Sequence, residues 1–146
     1  MTEIREGRPD DLPRLRAIQS AALAEPWPEL LETAARGPPA LYVLGSGQPV
    51  GYAIVVAETD GVAYVPELAV DPDEQGQGYG SELLVWLRER LAAEGYAELR
   101  LTVQAADERA RRFYDRHGFA TYERLDGHFE SGDGLLLRQS LDENGV

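Results

Sequence analysis

Residues 71–84 read DPDEQGQGYGSELL, with Gly76, Gly78 and Gly80 at alternate positions directly before an apolar helical pattern. Glycine weakens regular structure and is useful where backbone turns sharply or must be approached closely. The run before it ends in PELAV (66–70), which reads as a strand. The run after it, SELLVWLRERLAAEGY (81–96), repeats Leu83, Leu87 and Leu91 at four-residue spacing, with Leu84 alongside and Gly95 as the stop. The glycines therefore stand where a strand hands over to a helix. Free backbone N–H groups and the helix dipole bind an anion there, and bare glycines let a phosphate come within hydrogen-bond distance. A merely flexible turn is the other reading, and three alternating glycines before a clean helix favour the phosphate. A Walker loop is excluded because the chain has no Lys. A dinucleotide fingerprint is excluded because its third glycine would fall on Ser81 or Leu83.

Working outward, TEIREG (2–7) reads as a first strand and DDLPRLRAIQSAA (10–22) as a helix. Asp10 or Asp11 is its N-cap, Pro13 lies in its first turn, and Leu12, Leu15, Ile18 and Leu23 form its apolar stripe. PWPELLETAARGPP (26–39) reads as a second helix closed by Gly37 and two prolines. ALYVLGSGQPVGYAIVVAETDGVAYVPELAV (40–70) reads as three strands joined by GSGQ and TDG turns. After the central helix come a strand (AELRLTVQ, 97–104), a helix (DERARRFYDRHG, 107–118) capped by Asp107, and two strands (FATYERLDG, 119–127, and GLLLRQSL, 134–141). This order predicts an α/β (α+β) fold: a mixed, centrally splayed sheet of about six to seven strands with helices on both faces. The strands flanking the helix at Ser81 are expected to be parallel, since a crossover of that length joins parallel strands. Pro66, with no N–H inside a strand pattern, suggests a bulge or an edge.

A chain of 146 residues, 43% hydrophobic, is expected to form one domain spanning 1–146. No apolar run reaches membrane-span length, and MTEIREGRPDD holds no apolar signal region, so a soluble cytoplasmic protein is expected. The absence of cysteine excludes disulfide and thiolate chemistry. Acidic residues number 26 against 14 basic ones, for a formal net charge of −12, and every basic residue is Arg. That surface repels nucleic-acid phosphates. Two readings of the charge stand together: a halophile-like acidic surface, favoured because the acids are spread along the chain, and recruitment of a cationic substrate. His117 and His128 have no metal-ligand spacing, so no metal is expected. No Gly-x-Ser-x-Gly elbow supports serine hydrolysis.

The pattern Gln75-x-x-Gly78-x-Gly80 after LAVDP (68–72) resembles the signature of the GNAT superfamily of acetyl-CoA-dependent N-acetyltransferases, Arg/Gln-x-x-Gly-x-Gly/Ala. DERARRFYDRHGF (107–119) is similar to that family's Asn-x-x-Ala-x-x-x-Tyr-x-x-x-Gly-Phe segment, with Ala110, Tyr114, Gly118 and Phe119 in register. The opening IREGRPDDLPRLRAI (4–18) is also similar, so the resemblance covers essentially the whole chain. Gln75 stands where Arg is commoner, and Asp107 stands where the family has Asn. The resemblance implies acetyl-CoA as cosubstrate. Its diphosphate would take the backbone N–H groups of Gln75, Gly76, Gln77, Gly78, Tyr79, Gly80 and Ser81, with Asp107 nearby. Its pantetheine would pair with the backbone of Leu68, Ala69 and Val70 like an added strand, between the strands ending at Val70 and Gln104.

Acyl transfer to an amine needs a base for the amine, a donor for the oxyanion and an acid for the departing thiolate. Tyr114 matches the family position of the acid, although Ala110, Phe113, Tyr114 and His117 also share a helical face suited to packing. Glu67 is the base candidate. It shares a strand face with Ala69 by period two, and an ordinary exposed glutamate is the competing reading. Glu58 and Tyr64 are weaker options. The oxyanion donor is expected to be a backbone N–H near Ala69 or Val70. Trp86 and Trp27 read as packing residues, with Trp27 also placed to line an acceptor entrance. Arg109, Arg111 and Arg112 read as a mostly solvated turn, with attraction of the cofactor's ribose phosphate as the other reading. The expected acceptor is a small amine, an amino acid or a protein N-terminus, with a homodimer as the self-association considered. A non-catalytic acyl-CoA sensor and a longer-chain acyltransferase are the alternatives.

Overall fold

The computed structural model describes residues 3–141; Met1 and Thr2, where the predicted first strand begins, and residues 142–146 lie outside it. In chain order the elements are β1 (Ile4–Glu6), α1 (Leu12–Ala22), α2 (Pro28–Arg36), β2 (Ala40–Leu44), β3 (Gly51–Ala57), β4 (Val62–Val70), α3 (Tyr79–Ala93), β5 (Glu98–Gln104), α4 (Glu108–Arg116), β6 (Ala120–Phe129) and β7 (Gly132–Ser140). Short 3-10 turns at Pro9–Asp11 and Pro72–Glu74 precede α1 and α3. The seven strands lie in the order β1-β2-β3-β4-β5-β7-β6. The β4–β5 pair is parallel, in the register Val62↔Glu98 to Val65↔Leu101, as the α3 crossover requires. The pairs β1–β2, β2–β3, β5–β7 and β7–β6 are antiparallel. The sheet is therefore mixed. Pro66 falls within β4, and the strand order puts β4 between β3 and β5, which removes the edge reading of that proline.

The described residues group into two compact units, one built from those up to Val56 and from Pro66–Glu89, the other from Ala57–Val65 and from Arg90 onward. In the first unit, Leu12, Leu15 and Ile18 of α1 and Leu31, Ala34 and Ala35 of α2 bury against Leu41, Val43, Tyr52, Ile54 and Ala69. Each fully buried leucine or isoleucine there is worth about 1.5–3 kcal/mol. Leu23, the last residue of the predicted stripe, is only partly buried at the edge of this cluster. Trp86 packs edge-on to Tyr42 at 5.0 Å, the packing role expected of it. In the second unit, Leu99, Leu101 and Val103 alternate inward along β5 and join Phe119, Leu135 and Leu137 in the buried set. β6 is exposed along nearly its whole length.

Asp11 occupies the N-cap position of α1, but its side chain does not cap that helix. It turns back instead. Its Oδ2 accepts Arg8 N–H at 2.8 Å, and both carboxylate oxygens take the Arg5 guanidinium, at 2.9 and 2.8 Å. The Arg5 hydrogen bond, helped by Arg8 N–H and opposed by burial, holds the Asp11 carboxyl below the usual carboxylate range. A lowered folded value stabilises above the unfolded value of about 3.9 and is lost as pH falls through the folded one. Asp11→Ala is expected to cost about 1–3 kcal/mol at pH 7, because Arg5 and the Arg8 amide lose their acceptor. Denaturant midpoints should show the variant's deficit shrinking from pH 7 to pH 3. An equal deficit at both values would contradict this account of the cap.

Candidate functional site

The glycine turn departs from its sequence reading in one respect. Gly76 and Gly78 adopt left-handed backbone, at φ 87° and 85°, whereas Gly80 lies inside the first turn of α3, which starts at Tyr79. A side chain at Gly76 or Gly78 would be strained, and no atom beyond its immediate chain neighbours lies within 4 Å of where its Cβ would stand. The two glycines thus border open space. The first intrahelical bond of α3 runs from Glu82 N–H to Gly78 O at 3.0 Å, so by helix geometry the preceding amides point out of the helix end. The turn is tied at its root. Gln75 Nε2 donates to Val70 O at 3.1 Å, and Asp71 Oδ1 accepts Asp73 N–H at 3.0 Å. Gln77 directs its amide to Glu74 at 3.1 Å, so its side chain is held within the turn. Left-handed glycines, a helix N-terminus and open space suit a diphosphate, which is the fit a bound acetyl-CoA requires.

Glu67 lies on the buried face of β4 with Val65 and Ala69, as period two demands. The exposed-glutamate reading is overturned, since Glu67 is only 5% accessible. Three donors converge on its carboxylate. Oε1 accepts Gln19 Nε2 of α1 at 2.8 Å and the Tyr52 hydroxyl of β3 at 2.9 Å, and Oε2 accepts Trp27 N–H at 2.9 Å. Charge-assisted bonds of this kind offset the desolvation of a buried carboxylate. A carboxylate has about four acceptor sites, so about one is left for a further donor. Burial, reinforced by the charge of Glu67, pushes the Tyr52 phenol up, which keeps Tyr52 a donor. The same bonds hold the connection between α1 and α2 at Trp27. Trp27 is 56% exposed, so the packing reading of this residue fails.

In the second unit, Asp107 caps α4 as expected, its Oδ1 accepting Ala110 N–H at 3.0 Å. Tyr114 is buried on α4, with ring neighbours Phe113 at 5.0 Å and Phe119 at 5.5 Å. Burial, with the nearby Asp107 charge second, pushes its phenol up. Of the weaker candidates, Tyr64 shares a hydrogen bond with Thr102 Oγ1 at 2.7 Å, and Glu58 is exposed at the hairpin between β3 and β4. Arg112 pairs with Glu108 at 3.1 Å and Arg111 donates to Ala105 O at 3.2 Å. His117 packs on Phe113 and His128 on Phe129, and among the described residues no group of three or more His, Asp or Glu could hold a metal ion.

Three residues of consequence escape the sequence reading. Gln19 carries a usable signal, because a polar residue sits among the buried positions Leu12, Leu15 and Ile18 of one helix. Tyr52, inside an apolar strand, and Arg14, on a helix flank, carry none.

The family model described as Acetyltransferase (GNAT) family matches residues 3–119. The ribosomal protein bS18 alanine N-acetyltransferase of Escherichia coli K12 is 34% identical over 128 residues, covering 85% of this chain and 84% of that protein. Its counterpart in Haemophilus ducreyi is 32% identical over 126 residues, covering 85% and 86%. Among solved structures, the ribosomal-protein-S18-alanine N-acetyltransferase of Escherichia coli matches at TM-score 0.85 with 27% identity, over 99% of this chain and 98% of that one. Ard1 from Thermoplasma volcanium matches at TM-score 0.90 with 24% identity, over 97% and 99%, a likeness of fold.

Proposed function

The chain belongs to the GNAT acetyltransferase family, and on that premise we propose that it moves the acetyl group of acetyl-CoA onto the α-amine at the N-terminus of a protein or peptide. The observation that carries the acetyl-CoA part of this reading is the pair of left-handed glycines, Gly76 and Gly78, bordering open space at the start of α3. Two facts support a protein acceptor. A relative at 34% identity is an alanine N-acetyltransferase of a ribosomal protein. A net charge of −12 favours encounter with a basic partner. The family match runs through residues of both compact units, which supports one functional domain.

Acetyl-CoA supplies the acetyl group as a thioester, and the protein's residues divide the remaining work. The backbone from Gln75 to Ser81 holds the diphosphate, with Asp107 shaping the start of α4. The backbone of Leu68, Ala69 and Val70 would align the pantetheine, and an N–H at Ala69 or Val70 would donate to the acetyl carbonyl oxygen. Glu67 receives the proton of the attacking amine through a water at its remaining acceptor site. As the C–N bond formed and the C–S bond broke, Tyr114 would give its proton to the departing sulfur and regain one from solvent, to which Glu67 would release the proton it took.

Binding is tested by melting temperature with and without acetyl-CoA. Ligand at 100 times its dissociation constant should add about 2.7 kcal/mol. Gly78→Val should lower the unliganded stability by about 1–3 kcal/mol through strain at positive φ and abolish the shift. A wild-type chain whose melting ignores saturating acetyl-CoA would falsify the reading.

A further inference from the structure

Arg14 joins three parts of the first unit. From α1, its Nε donates to Pro49 O in the connection between β2 and β3, at 3.0 Å. Its terminal nitrogen meets Asp71 Oδ2 at 2.5 Å. Asp71 is the first residue after β4, and its backbone N–H donates to Val50 O at 2.8 Å. Its other carboxylate oxygen accepts Asp73 N–H and so caps the 3-10 turn leading to Gly76. The ion pair is half-sheltered, with side-chain exposures of 34% for Arg14 and 15% for Asp71. Arg14 sits between Leu12 and Leu15, both buried in the core, so its own backbone is fixed.

We propose that Arg14 is a positioning residue for the acetyl-CoA diphosphate, acting through Asp71 on the glycine turn; this rests on the acetyl-CoA reading above. The turn needs such a device. A Cβ at Gly76 or Gly78 would meet nothing within 4 Å, so packing does not hold the tip. Glycine also loses more conformational freedom on ordering than any other residue. A ligand that must order the turn itself loses affinity, whereas a turn fixed at its root presents its amides in place. The guanidinium suits the task because its rigid fork grips a carbonyl and a carboxylate at once. Arg14 lies outside the two motifs at 75–80 and 107–119, within the opening stretch 4–18.

The test compares the wild type with Arg14→Gln, Asp71→Asn, the double variant and Arg14→Lys. Acetyl-CoA affinity is measured by titration, and turnover on an N-terminal alanine peptide with acetyl-CoA varied. Each of the first two variants should raise the acetyl-CoA Kd and KM about tenfold, the loss of one charge-assisted contact. The double variant should be no worse than either single one, since both break the same link. kcat at saturating acetyl-CoA and KM for the peptide should stay within about twofold, which a general loosening of the fold would not allow. Arg14→Lys should recover part of the affinity, because an ammonium reaches Asp71 without gripping Pro49 as well. Unchanged Kd in both single variants, additive losses in the double variant, or an equal fall in kcat would each overturn the proposal. A wild type that does not bind acetyl-CoA at all would instead overturn the functional reading, and the positioning role with it.

Discussion

Tyr114→Phe lowers turnover about 10²–10⁴-fold and leaves acetyl-CoA affinity nearly unchanged: that is the result expected if Tyr114 is the general acid. The substitution removes one hydroxyl and nothing else. Phenylalanine keeps the edge contacts to Phe113 and Phe119 at 5.0 and 5.5 Å, so α4 and its packing persist. The direction of the pKa matters. An acid must carry its proton at working pH, and burial holds the Tyr114 phenol above the ordinary tyrosine value. Tyr114 is therefore protonated across the neutral and mildly alkaline range, and the wild-type pH profile should show no loss of an acid there. The measurement is kcat from pH 6 to 9 for both proteins, with Kd for acetyl-CoA beside it. Wild-type turnover in the variant would reduce Tyr114 to a packing residue.

Glu67→Gln should act differently, with an expected fall in turnover on the order of 10²-fold at neutral pH. An N-terminal α-amine titrates near 8, so at pH 7 most of the acceptor is protonated and needs a base. The deficit should shrink above about pH 9, where the amine is already neutral. The variant also carries a structural cost. Three donors meet the carboxylate, and an amide must turn its own NH₂ toward one of them, at about 1–3 kcal/mol. Gln19→Leu separates the two effects. It removes one donor but keeps the carboxylate, so stability should fall while the pH profile keeps its wild-type shape. A Glu67→Gln deficit that is constant from pH 6 to 10 would leave Glu67 as the anchor of the connection between α1 and α2 and nothing more.

Much of the fold is legible in the sequence because its signals are local. Helix and strand periods, with Gly37, Gly95 and Gly118 as punctuation, place the four helices and the strands between them. The errors have physical causes. The start of α3 lies two residues before Ser81 because Gly80, an unfavourable helix residue, is tolerated in a first turn. β6 continues past Gly127 to Phe129, although LDG reads as its end. There the register shifts between Leu125 and Phe129, and Asp133 accepts Gly127 N–H at 2.8 Å and the Arg124 guanidinium at 2.7 Å. The glycine turn and the Asp107 cap are short-range features and could be read directly. The surroundings of Glu67 could not. Its partners at Gln19, Trp27 and Tyr52 come from α1, the connection after it and β3, and only the folded chain brings them to one carboxylate.

The most direct test of acetyl transfer to an N-terminal amine is the initial rate of thiol release by the purified chain with saturating acetyl-CoA. It is run with a peptide bearing a free N-terminal alanine and with the same peptide blocked at its N-terminus. One free thiol per acetylated peptide is expected with the free amine, and no release above the peptide-free rate with the blocked one. Equal release from both peptides would contradict it. So would binding of acetyl-CoA with no release on this or any other amine, the behaviour of an acyl-CoA-binding module.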